Sequence, residues 1–103
     1  MKLEDFTRGW IVGDFDPAIV KTKDVEIGIL YFKEGECADN HFHKNHTEWN
    51  LVLEGCARSK GHLYFADSVF IFNPNEEADV EYIMDTRILV IKSPATKDDK
   101  YYA

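Results

Sequence analysis

The chain has 103 residues, 45% of them hydrophobic and 14% aromatic, enough apolar surface for one compact core and unlike the composition of a disordered segment. Its formal net charge of -7 repels phosphate backbones and anionic lipid, which argues against nucleic acid and membrane surfaces as partners. The opening MKLEDFTRGW lacks the apolar stretch of a secretory signal, and no run approaches the length of a membrane span. Two cysteines, Cys37 and Cys56, are too few for a disulfide framework, and together these features predict a cytoplasmic protein with reduced thiols.

Residues 10–12 predict a short N-terminal strand, and residues 17–23 (PAIVKTK) at most one turn of helix. Residues 25–33 (VEIGILYFK) are rich in β-branched and aromatic side chains and predict a strand ending at a Glu-Gly turn. A strand over 47–53 follows and is closed by Gly55. Residues 62–65 and 68–72 predict two more, split by Ala66-Asp67, before Asn73-Pro74-Asn75 breaks the chain. Residues 80–84 and 87–92 complete the set on either side of Asp85-Thr86. No apolar period of 3.6 persists, so the class is all-β. Short strands at close spacing predict a sandwich or a barrel, whose closure disposes of exposed edges. The absence of linkers and repeats predicts a single domain over 1–103. The polar tail from Pro94, ending in two tyrosines before Ala103, is expected to wrap over the barrel or to meet a second subunit.

The chemistry concentrates in residues 35–55, GECADNHFHKNHTEWNLVLEG. Side chains two apart on a strand share a face, so His41 and His43 point one way and Phe42 the other. If the extended backbone continues back, Cys37 and Asp39 join the histidine face. After the loop Lys44-Asn45-His46-Thr47, Glu48 opens the next strand. Two imidazoles and a carboxylate provide three metal ligands with open positions, whereas a closed zinc site wants four. The same three side chains also suit a hydrogen-bonded polar cluster without metal. Asn50, two residues after Glu48, faces inward as either a core amide bonded to a neighbouring strand or a contact to a bound ligand. Tyr31, Phe70 and Phe72 are candidate pocket walls or plain core, while His46 reads as a solvated loop residue, with a substitute ligand for His43 as its alternative, and His62 as surface.

Gly35, His41, His43, Glu48 and Gly55 have the spacing of glycine, five residues, His-x-His, three or four residues, Glu, six residues, glycine. This pattern resembles the first motif of the cupin superfamily, and the resemblance covers about residues 25–92. It implies a double-stranded β-helix, or jelly roll, with the N-terminal strand and the C-terminal tail packed on the barrel. It also implies a divalent metal (Fe, Mn, Ni or Zn) held inside near one mouth. The second motif is degraded: counting from Pro74, Glu76 stands where that family has glycine and Asp79 where it has histidine. Asp79 is therefore either a fourth ligand through oxygen or a surface acid with water in its place. The family's activities imply isomerase, lyase or dioxygenase chemistry on a small polar molecule, the alternative being a non-catalytic small-molecule-binding or regulatory module. An enzyme is expected to keep a spare ionisable group near the metal, such as Glu81 or Tyr31. A homodimer is expected, since a barrel this small gains apolar burial by associating.

Overall fold

The computed structural model describes residues 1–38, 41–95 and 101–102. Two single 3₁₀ turns, Leu3–Asp5 and Thr7–Gly9, precede the strands β1 (Trp10–Gly13), β2 (Val20–Lys21) and β3 (Glu26–Phe32). Next come β4 (His41–Phe42), β5 (Thr47–Glu54), β6 (Cys56–Ser59), β7 (His62–Phe65) and β8 (Val69–Phe72). The described chain ends with β9 (Glu81–Tyr82), β10 (Thr86–Ser93) and β11 (Tyr101–Tyr102). One sheet has the order β2-β1-β3-β10-β5-β8, a second β7-β6-β9, and β11 pairs with β4. The protein is all-β, as the turn spacing predicts.

The long strands form where β-branched and aromatic residues accumulate, because such side chains fit a pleated, packed surface. In the centre, β10 runs antiparallel to both β3 and β5. Period 2 then decides burial. Ile88 faces Leu30 on one side and Val52 on the other, and Ile88 and Val52 are completely buried. Phe70, Phe72, Val80 and Tyr82 pack into the same cluster. Phe32 of one sheet and Tyr82 of the other stack nearly parallel with ring centroids 4.1 Å apart, which ties the two sheets together.

Two glycines hold this arrangement. At Gly55 the chain leaves β5 for β6 with φ at +97°, and an added Cβ would stand 2.3 Å from the carbonyl oxygen of Asp85. The buried Thr86 hydroxyl braces that corner, accepting from the Cys56 amide at 3.1 Å and donating to the Met84 carbonyl at 2.8 Å. Gly28 leaves a notch filled by Trp10, whose ring lies 2.7 Å from where a Cβ would be. The Lys92 ammonium sits 4.9 Å above that ring. The N-terminal strand thus packs its one large side chain against the core.

Several local expectations need correction. Residues 17–23 contain no helical turn: β2 returns parallel to β1, with Val20 beside Val12, because the open edge of β1 offers backbone partners that an isolated turn cannot. Strand β6 has no counterpart in the sequence reading, because its buried residues Cys56, Ala57 and Ser59 are small and carry little apolar signal. The strand expected over 80–84 is reduced to two residues, paired with β6. Asp39 and residues 96–100 lie outside the described residues, but the tail does reach the barrel, where Tyr101 pairs with Phe42 and Tyr102 with His41.

Candidate functional site

Strand β4 is only two residues long and is held from two sides. On one it pairs with β11; on the other the His41 amide donates to the Ala78 carbonyl (3.3 Å) and the Ala78 amide to the His41 carbonyl (2.6 Å). The Asn75 amide donates to the His43 carbonyl at 2.6 Å. The segments resembling the two cupin motifs are therefore laced together through their backbones.

The His41 and His43 rings contact each other edge to face, centroids 5.0 Å apart. Phe42 turns the other way and stacks on Tyr101 at 5.5 Å, where the Lys44 ammonium lies 4.2 Å from the tyrosine ring. His46 departs from its expected solvated position. It is only 3% exposed, and its ring lies 4.1 Å from that of the buried His43. The loop turns this imidazole inward and leaves Lys44 and Asn45 to the solvent. Strand parity carries no information about a loop residue, so only its histidine type could have marked it.

Glu48 belongs to the inner row of β5, opposite Phe72 of β8 and Lys92 of β10, and Lys92 in turn stands opposite Glu26. Asn50 is buried and its Nδ2 donates to the Phe70 carbonyl at 3.4 Å, the bond to a neighbouring strand that its core-amide reading calls for. Phe72 is buried and meets Phe70 edge to face at 5.7 Å. Tyr31 does not wall the barrel. It is 57% exposed on the outer face, because Leu30 and Phe32 beside it take the inward positions. Asp79 likewise alternates with the buried Ala78 and Val80. It accepts a hydrogen bond from Ser59 Oγ at 3.1 Å and lines a groove with Cys37, Arg58 and Lys60.

The structure thus brings together His41, His43 and His46. Among the described residues no three His, Cys, Asp or Glu side chains are arranged to hold a metal ion. Neither Glu48 nor Asp79 therefore completes a ligand set with the imidazoles as placed. By donor type, His41, His43 and Glu48 fit a divalent ion, and the two imidazoles already lie side by side.

The ionisable groups expected beside such a site are elsewhere: Glu81 pairs with Arg58, and Tyr31 is outside. Tyr82 has that character instead. Burial pushes its hydroxyl pKa up, and the negative charges of Glu48 and Glu36 push the same way, so it stays protonated at neutral pH. Its sequence signal is alternation: Ala78, Val80 and Tyr82 form one buried row.

No protein-family profile and no curated protein sequence matches the chain. Solved structures do. An uncharacterized conserved protein with a double-stranded β-helix domain from Klebsiella pneumoniae superposes with a TM-score of 0.71 at 13% identity, over 93% of this chain and 84% of that one. An RmlC-like cupin from Shewanella frigidimarina gives 0.67 at 20% identity over 75% and 72%. The DMSP lyase DddQ from Ruegeria pomeroyi gives 0.72 at 13% identity over 96% and 54%. The chain has the cupin fold.

Proposed function

We propose that this protein is a cupin enzyme that holds a divalent metal ion with His41, His43 and Glu48 and acts on a small polar molecule by isomerase, lyase or dioxygenase chemistry. The observation that carries the reading is the contact of two imidazoles, spaced as in the first cupin motif, on a segment bonded to the Asn75–Ala78 stretch. A bound metal would supply Lewis acidity or oxygen activation, with Fe, Mn, Ni and Zn all suited to nitrogen and carboxylate donors. In an enzyme Tyr82, whose hydroxyl is kept protonated by burial and by Glu48, would serve as a hydrogen-bond donor rather than as an acid, because its pKa is raised away from neutral pH. The buried Phe72, opposite Glu48 on the neighbouring strand, gives that carboxylate an apolar neighbour. His46, packed against His43, restrains that ring from behind. The fold is shared with a DMSP lyase, which supports lyase chemistry as one candidate activity. At 13% identity this names no substrate.

A second reading, a non-catalytic binding or regulatory module, is favoured by Asn50, whose amide is already committed to the Phe70 carbonyl. We also place the protein in the cytoplasm. Both cysteines are free, and no helix among the described residues is long and apolar enough to cross a membrane.

Metal analysis of the purified protein, beside His41→Ala and Asp79→Ala, tests the site. The wild type and Asp79→Ala should bind one equivalent with similar affinity, and His41→Ala should lose it. Equal metal content in wild type and His41→Ala would refute the site. Tyr82→Phe then separates enzyme from binder: it should retain the metal and lose turnover of any substrate found, whereas unchanged turnover would remove Tyr82 from the chemistry.

A further inference from the structure

Tyr31, which does not wall the barrel, walls a different space. The two 3₁₀ turns that precede β1 lie against β3 and leave a groove of about 740 Å³ beside the strand. Leu3, Phe6 and Ile29 give it apolar walls, and the Tyr31 ring extends them. The Tyr31 hydroxyl is hydrogen-bonded to the Asp85 carboxylate, so its polar tip is already engaged. Ile29 and Tyr31 alternate with Leu30 and Phe32, which pack on the core, so the groove opens on the opposite side of the sheet from Glu48. The turn that forms its rim is closely set. Gly9 has φ at +84° and lies so near β3 that an added Cβ would run into the Ile29 carbonyl. Arg8 precedes it with φ at +52°, a left-handed conformation uncommon for so large a side chain and kept only where the surroundings impose it.

We propose that this groove binds a small amphipathic monocarboxylate, its carboxylate on Arg8 and its apolar body along Phe6, Ile29 and Tyr31. Charge selects the ligand. Of the three arginines, Arg58 pairs with Glu81 and Arg87 with Glu54, whereas Arg8 has no carboxylate partner among the described residues. That is the reverse of what a chain with 19 acidic and 12 basic residues would give by chance. Lys2 lines the same groove, so two cations face one carboxylate, Glu4, and the lining has the opposite sign to the whole chain. A planar guanidinium can hold a carboxylate through two parallel N–H···O bonds, which sets the anionic group. Glu4 opposes a second negative charge, which restricts the ligand to one. Size agrees, since small-molecule sites span roughly 300–1,000 Å³ and combine mostly apolar walls with a few polar groups.

Titration of the isotope-labelled intact protein with octanoate, followed by amide NMR shifts, tests this. Octanoate should saturate and shift the amides of residues 6–9 and 29–31. Octanol, with the same chain and no charge, should bind about fivefold more weakly or worse, and suberate, with a carboxylate at each end, should also bind more weakly than octanoate. Arg8→Gln should bring octanoate down to the level of octanol, a loss of about fivefold or more. Arg8→Gly, which suits the left-handed turn and so cannot strain it, should do the same. Phe6→Ala should weaken octanoate and octanol alike, because it removes wall and not charge. Equal octanoate affinity in the wild type and both Arg8 variants would overturn the proposal, as would octanol or suberate binding as tightly as octanoate. The absence of any saturable shift in residues 6–9 and 29–31 would overturn it as well.

Discussion

Strands β5 and β4 each carry donors of the candidate metal site, and they are anchored very differently. Strand β5 is eight residues long and paired on both sides, with β10 and with β8. Glu48 therefore sits in a row whose register is enforced by every buried neighbour along the strand. Strand β4 is two residues long, paired with a two-residue β11 and bonded to the Ala78 segment outside any strand. The carboxylate is preset by the sheet, while the imidazoles are placed by a few local contacts. A site divided this way can keep its fold while its histidines adjust to a metal or a ligand, and damage to the two halves should look different.

The largest expected effect is in the sheet. Ile88→Ala empties a completely buried position between Leu30 and Val52 and should cost about 2–5 kcal/mol, read as a large fall in the thermal or urea midpoint. A loss below about 1 kcal/mol would mean that the β3-β10-β5 centre is not the rigid half. Gly55→Ala comes next. The added methyl meets the Asp85 carbonyl in a left-handed corner, and a destabilisation of about 1–3 kcal/mol is expected by denaturant titration. Tyr101→Ala should barely move the global midpoint, by about 1 kcal/mol or less, since it removes one stacked pair and one cation contact. It should nevertheless speed hydrogen exchange at β4 amides selectively, and uniform protection there would contradict the locally held reading of β4.

The smallest effect is electrostatic. A hydrogen bond from Lys60, and then one from the Asn73 amide, holds the Glu76 carboxyl below the usual carboxylate range. A lowered native pKa means that the native state favours the ionised form. Its stabilisation is therefore complete at neutral pH and is lost as the pH falls from the usual carboxylate range through the lowered value. Lys60→Met should flatten this acid limb of the stability curve, by well under about 1 kcal/mol because the pair is partly solvated. An unchanged acid limb would show that this pair does not restrain the Asn73–Glu76 turn from which Asn75 reaches His43.

How much of the site could be read in advance follows the same division. The placement of Asn50 and Phe72 on the inner face was legible because buried positions recur at every second residue where they lie, on the long β5 and the short β8. The same parity puts Tyr31 outside once Leu30 and Phe32 are seen to share the core, a fact of packing that the aromatic composition of β3 obscures. Asp79 was drawn toward the metal by its position relative to Pro74, whereas its side chain is turned by the burial of Ala78 and Val80 on either side.

By itself, the sequence determined the all-β class, the long strands, the inward parity of β5 and the pairing of His41 with His43, because period 2 and turn chemistry are local properties of the chain. Only the tertiary structure decided that His46 is buried against His43 and that Glu81 pairs with Arg58. Each of these depends on which distant segment arrives alongside, and neither side-chain period nor motif spacing encodes that.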